Sequence, residues 1–186
     1  MPRPLRLQPA GGIFHLTTRG NRRGEIVRDD EDCGEFVALL EDVISRFDWR
    51  CHSYCLMTNH YHLLVETTNE NLSMGMHRLN GFHARRFNRR HGLTGHLFER
   101  RFHSILVESE FHLLELCRYI VLNPVRAGLC ASPADWPWSS YRAAAGLAPA
   151  APFLTVDWSL GLFGSDKDLA QRSFQSFVAA GLRAAA

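Results

Sequence analysis

The sequence holds no apolar run approaching the roughly 18 residues that a membrane-spanning helix needs. Its opening, Met1-Pro2-Arg3-Pro4-Leu5-Arg6, lacks the apolar stretch of a secretory signal peptide. Cysteines are few and odd in number: five (Cys33, Cys51, Cys55, Cys117, Cys130) do not form a disulfide framework, which places the chain in a reducing cytoplasm. Lysine is almost missing, since Lys167 stands alone against 20 arginines. Codon bias in a GC-rich genome accounts for that ratio, but not for where the arginines fall. Net charge is also small, at +2, so the chain as a whole is not a polycation. There is no internal repeat. The 186 residues, 46% of them hydrophobic, suffice for one domain with a proper core.

Charge is concentrated locally. Between His77 and His103 lie seven arginines (Arg78, Arg85, Arg86, Arg89, Arg90, Arg100, Arg101) and five histidines, with Glu99 the only acid. A basic patch in a near-neutral chain suits a polyanion, and guanidinium forks suit phosphate. Hydropathy patterning predicts a strand at 12–18 and a loop at Gly20-Asn21-Arg22-Arg23-Gly24. A helix follows, capped by Asp32 or a neighbour and running to Phe47, with a stripe of Phe36, Leu39, Leu40, Val43, Ile44 and Phe47. Strands at 49–57 and 60–67 flank a Thr58-Asn59 turn and should form a hairpin. A second helix starts at Asn69 or Asn71 and runs to His91, with Leu72, Met76, Leu79, Phe82 and Phe87 on its apolar side. A fourth strand is expected at 101–107, then a helix capped by Ser109 and ended by Pro124. The order β-α-β-β-α-β-α predicts an α+β, ferredoxin-like (RRM-like) fold. Its four-stranded antiparallel sheet would carry two helices on one face and the added helix on the other. Residues 1–145 would form the domain, and 146–186 a linker and helical tail. That tail includes a last helix at 166–181 with Leu169, Phe174, Phe177 and Val178.

In His60-Tyr61-His62-Leu63-Leu64-Val65-Glu66, strand alternation sends His60 and His62 to one face and Tyr61, Leu63 and Val65 to the other. If the helices cover the second face, the histidines share the open one within reach of a single cation. Imidazole suits Mn²⁺ or Zn²⁺, whereas Mg²⁺ prefers oxygen, which phosphate or water would supply. Two histidines on a half-exposed strand are also common without any metal. On the third helix, Tyr119 and Asn123 stand at i and i+4 and project together. Tyr119 is then a candidate nucleophile and the Asn123 amide oxygen a candidate third ligand. A core tyrosine before a helix-ending Asn-Pro is the plainer alternative. Joined to the histidine pair, the functional alternative gains, because the fold carries this helix over the open face.

Four segments resemble the HUH single-tyrosine transposases. Met57-Thr58-Asn59-His60-Tyr61-His62-Leu63-Leu64-Val65 is similar to their HUH segment, and Arg118-Tyr119-Ile120-Val121-Leu122-Asn123-Pro124-Val125-Arg126-Ala127-Gly128 to their catalytic helix. Thr17-Thr18-Arg19-Gly20-Asn21 resembles their first strand and loop, and Trp136-Pro137-Trp138-Ser139-Ser140-Tyr141 a downstream motif of the REP-associated branch. The resemblance spans 14–142 in order. It implies metal-dependent transesterification: Tyr119 would attack single-stranded DNA beside a hairpin, leaving a 5′-phosphotyrosine and a free 3′-hydroxyl. His60 and His62 would hold Mg²⁺ or Mn²⁺, with Asn123 as third ligand. The protein would be a monomer or a homodimer, its tyrosine serving its own site or a partner's. The Gly-Thr-Trp-Ser signature of many REP-associated members is absent, so a REP palindrome is not implied. A binding module that no longer cleaves and a replication initiator of the same chemistry are the alternatives, with a structural zinc protein more remote.

Other residues carry weaker signals. Candidate phosphate contacts are Arg19, Arg22, Arg23, Arg85, Arg86, Arg89, Arg90, Arg100 and Arg101, with solvated surface charge as the plain alternative. His15 and Thr17 share a strand face with Arg19, and His15 is as readily structural as functional. Glu66 would tune the site or meet solvent, and Glu115 would pair with Arg118 or take the Tyr119 proton. Phe82, Phe87, Phe98 and Phe102 lie among the arginines, where aromatics stack bases or fill the core. Cys51-His52-x-x-Cys55 invites a zinc reading, but alternation sends His52 away from the two cysteines.

Overall fold

A computed structural model describes residues 9–183, so the Met1–Arg6 segment lies outside the described residues. Strand β1 spans Ile13–Arg19, β2 Trp49–Leu56, β3 His60–Thr67 and β4 His103–Leu106. They form one antiparallel sheet in the order β2-β3-β1-β4, the ferredoxin-like arrangement that the element order predicts. Helices α1 (Asp30–Phe47) and α2 (Leu72–His91) pack together over one face, and α3 (Glu110–Arg126) lies against β2 and β3 on the other. Short helices α4 (Tyr141–Ala144) and α5 (Asp157–Gly161) precede the last helix, α6 (Lys167–Arg183).

Helix α1 starts at Asp30, inside its acidic run. The side chain of Asp29, not Asp32, caps it, accepting from the backbone N–H of Asp32 at 3.0 Å. Asp32 is buried and holds Arg90 and His91 of α2 at 2.6 and 2.8 Å, so the acid ties the two helices together. Phe36, Leu39, Leu40, Val43 and Ile44 are buried as expected, and Tyr61 from β3 reaches between Phe36 and Asn80. At the start of α2, Gly75 admits the Trp49 ring, which a Cβ there would strike. Asn71 accepts from Trp49 Nε1 at 2.7 Å rather than capping the helix with its side chain.

Three expectations are corrected. Strand β4 is shorter than 101–107, because Asn80 of α2 takes the Arg101 carbonyl and draws the chain off the sheet. Pro124 lies inside α3, which continues to Arg126. Proline lacks the N–H that would bond the Ile120 carbonyl, and the Asn123 amide approaches that carbonyl at 3.5 Å. The Trp136-Pro137-Trp138-Ser139-Ser140 segment runs along the edge of β2, bonding Leu56 and Tyr54 through backbone groups, and the short, four-residue α4 follows it. Phe82 and Leu169 are exposed rather than apolar anchors: α6 buries Ala170, Phe174 and Val178 instead. Beyond residue 145, Thr155 bonds the Cys51 carbonyl, α6 packs on α3, and Phe153, Leu154 and Phe174 join the same hydrophobic core as the sheet. No described helix is long and apolar enough to cross a membrane.

Candidate active site

The site lies on the sheet face under α3. The register of β1 on β3 pairs Thr17 with His62, Arg19 with His60 and His15 with Leu64. Directly paired residues share a sheet face, so His15, Thr17 and Arg19 stand beside the two histidines. The His60 and His62 ring centroids are 5.1 Å apart. From α3, the Tyr119 ring stands edge-on to His62 at 5.4 Å and to His15 at 6.2 Å, and the tyrosine is 39% exposed. The Arg126 guanidinium lies 5.6 Å from the Tyr119 ring centre. Residues far apart in sequence, on β1, β3 and α3, therefore converge here.

Hydrogen bonds fix how these groups present themselves. Asn59 Nδ2 donates to the Arg23 carbonyl at 3.1 Å, which leaves Asn59 Oδ1 facing His60 Nδ1 at 2.7 Å. An amide oxygen only accepts, so His60 carries its proton on Nδ1 and keeps a lone pair on Nε2. Asn123 Nδ2 donates to the Tyr119 carbonyl at 2.8 Å, which turns its Oδ1 away from the helix backbone. Asn123 also sits close enough to His62 to favour its protonated form slightly, yet His62 Nε2, which is buried, has no hydrogen-bond partner among the described residues. A buried, unpartnered imidazole nitrogen is costly unless something fills the place opposite it.

Electrostatics keep the rings neutral. Burial, with Arg19 nearby, lowers the His60 pKa to about 4. Burial first, then His15, His60 and Arg19, lowers that of His62 to about 3. Burial first, with His103 and His112 nearby, lowers His15 to about 4. Neutral imidazole is the form that binds a metal. Two neutral imidazoles, one buried ring nitrogen without a hydrogen-bond partner and an adjacent amide oxygen fit a divalent cation. Among the described residues no three His, Cys, Asp or Glu side chains form a metal cluster, so the remaining ligands at such an ion would be oxygens from other sources.

The other predicted residues divide. Arg22 and Arg23 are exposed on the turn Asn21–Arg23, both with left-handed backbone (φ 54 and 60), and Gly20 is required there because a Cβ would strike the Gly24 carbonyl. Arg85 stacks on Phe82 at 4.4 Å, with Arg78 on the same ring at 4.6 Å. Arg86 is half-buried and Arg89 exposed on the same helix. Arg100 and Arg101 line a cleft of about 620 Å³ with Asn80, Gly81 and Ala84, on the α2 side of the sheet and away from Tyr119. Arg90 is committed to Asp29, Glu31 and Asp32, and Arg100 pairs with Glu99. Glu115 pairs with Arg118 and not with Tyr119. Glu66 pairs with Arg50 and His52, away from the tyrosine. Burial raises the Cys51 thiol to about 12 and the Cys55 thiol further, and His52 is engaged by Glu66 and the Thr155 carbonyl. Sequence reasoning passed over Asn59, read only as a turn residue, and Arg126. The latter was findable as the i+7 neighbour of Tyr119 on one helix face.

The family described as "Transposase IS200 like" matches residues 11–123, more than half of the chain, from β1 through Asn123. The fold is similar to that of a REP-associated tyrosine transposase solved bound to a REP hairpin, with TM-score 0.65 and 19% identity over 84% of this chain and 96% of that one. A second solved structure, of a protein assigned as a transposase from Deinococcus radiodurans R1, gives TM-score 0.45 and 17% identity over 63% and 95%. No curated protein sequence matches the chain. With β1, the histidine strand and Tyr119 all inside the matched span, the chain belongs to the IS200-like, single-tyrosine HUH transposase family.

Proposed function

We propose that this protein nicks and rejoins single-stranded DNA next to hairpins by metal-dependent transesterification, with Tyr119 as the nucleophile. The observation that carries this reading is the Tyr119 ring, part-exposed, standing edge-on to His62 beside the neutral His60–His62 pair. His60 and His62 would hold Mg²⁺ or Mn²⁺ through Nε2, with Asn123 Oδ1 as third ligand. Bound there, the ion would polarise the scissile phosphate. The Tyr119 oxygen forms a bond to phosphorus while the bond to the 3′-oxygen breaks, and the phenolic proton ends on that leaving oxygen. The product is a 5′-phosphotyrosine and a free 3′-hydroxyl, and the reverse attack rejoins the strand. The phosphoester bond is conserved, so no outside energy source is needed.

Tyr119 lies over the histidines of its own chain, which supports a tyrosine acting in cis. Arg19, paired with His60, and Arg126, beside Tyr119, place positive charge at this face, and with Arg22 and Arg23, exposed on the loop after β1, would hold the phosphates flanking the cut. The REP hairpin held by the similar transposase supports a hairpin-bearing substrate.

The test is a covalent-adduct assay. Protein is incubated with single-stranded hairpin oligonucleotides and Mg²⁺ or Mn²⁺, then run on a denaturing gel beside Tyr119→Phe. The expected result is a metal-dependent shifted band from wild type, none from Tyr119→Phe, and equal DNA binding by both. An adduct from the phenylalanine variant would remove Tyr119 from the reaction, and binding without any wild-type adduct would leave a non-cleaving DNA-binding module.

A further inference from the structure

His15 has no part in the chemistry just described, yet its ring is placed against His62 with little freedom. His15 Nε2 lies 3.0 Å from His62 Nδ1, and the rings stack at 5.3 Å with 15° between their planes. Only one proton fits between two ring nitrogens at that distance. The outer nitrogens, His15 Nδ1 and His62 Nε2, are buried and have no hydrogen-bond partner among the described residues. Two arrangements are therefore open. If His15 Nε2 carries the shared proton, a neutral His62 has its own proton on Nε2 and offers no lone pair there. If His62 Nδ1 carries it, His62 Nε2 is bare, as His60 Nε2 is made bare by Asn59.

We propose that His15 is the positioning residue for His62: its Nε2 accepts the Nδ1 proton of His62, holding the tautomer and ring orientation that leave His62 Nε2 open to a divalent cation. This rests on the reading of His60 and His62 as metal ligands. Together with Asn59 it completes a matched pair of supports behind the two histidines, one from the β2–β3 turn and one from β1. The outward ring nitrogen of a metal-bound histidine ordinarily has such a partner, and losing it weakens metal binding about 10–100-fold. A purely space-filling role for His15 would be met by any ring of similar size.

The experiment separates these roles. Mn²⁺ binding is measured by calorimetry on the full chain without DNA, for wild type, His15→Phe, His15→Gln and His62→Ala, each checked for folding by circular dichroism. Phenylalanine keeps a ring but no acceptor, whereas glutamine keeps an acceptor. The expected result is affinity lower by about 10–100-fold in His15→Phe, restored toward wild type in His15→Gln and lost in His62→Ala. Wild-type affinity in a folded His15→Phe, with binding still lost in His62→Ala, overturns the role of His15 and leaves the metal site standing. Wild type binding no better than His62→Ala overturns both. Long-range proton–nitrogen correlation NMR on wild type labelled at histidine, with Mg²⁺ added, tests the same point without any variant. A proton on His62 Nδ1 supports the assignment, and a proton on His15 Nε2 overturns it.

Discussion

Asn59 is the residue through which the loop after β1 reaches the histidines. Its amide donates to the Arg23 carbonyl and accepts from His60 Nδ1, so the position of Arg23 determines how His60 is held. That carbonyl sits where it does because Arg22 and Arg23 both adopt left-handed backbone, which costs a non-glycine residue roughly 1–3 kcal/mol. Strain of this size persists only where the surroundings impose it. Here they do: Gly20 bonds the Asn59 carbonyl and Asn21 the Leu97 carbonyl. Asn59→Ala should leave the fold intact, since the residue is only half-buried, and should lower Mn²⁺ affinity by about 10–100-fold. A calorimetric titration showing wild-type affinity would mean that His60 keeps its orientation without the amide.

At the scale of elements, the contact between α2 and the start of β2 depends on Gly75. Two effects oppose each other in Gly75→Ala. Alanine favours the helix by up to about 1 kcal/mol, whereas its methyl group must displace the fully enclosed Trp49 ring, at about 1–3 kcal/mol. The ring is pinned by its Nε1 bond to Asn71, so it yields poorly and the clash should win. The urea midpoint should fall, and a raised midpoint would mean that Trp49 rotates away freely. The same contrast between local and tertiary effects decides what the sequence made legible. Helices α1 and α2 and strand β3 follow from periodicity, and β3 has the predicted bounds. His60 with His62, and Tyr119 with Asn123, were legible because i,i+2 and i,i+4 spacing are local rules. The shortening of β4 and the docking of the Trp136 segment were not, because each depends on a distant partner, Asn80 and β2; the continuation of α3 past Pro124 turns on a side-chain orientation, that of Asn123 toward the Ile120 carbonyl, which spacing does not specify. His15 lay on a legible strand face, but its contact with His62 needs the register of β1 on β3, which no local pattern specifies.

At the scale of the whole molecule, burial of neutral histidines makes stability depend on pH. His15, His52, His62 and His83 are buried and His60 half-buried. Burial lowers all five below the ordinary value, to about 4 for His15 and His60 and about 3 for His62. In the unfolded chain each titrates near 6.5. Above that pH both states are neutral and the histidines contribute nothing to the slope. Below it the unfolded chain takes up protons that the folded chain refuses, so stability is lost as pH falls from 6.5 toward the folded values. Each histidine adds at most about 1.4 kcal/mol per pH unit. The metal-free protein should therefore show a Tm that is level above pH 7, declines below 6.5 and keeps declining to about 4. His83 isolates one term away from the candidate site, since it lies under α1 and bonds the Ile26 carbonyl at 2.8 Å. His83→Met should be less stable at pH 8 by about 1–3 kcal/mol, because that carbonyl loses its donor, yet its Tm should fall less steeply below pH 6.5. A wild-type Tm unchanged between pH 7 and 5 would show that these rings accept protons in the folded state, and would remove the electrostatic case for a neutral imidazole pair under Tyr119.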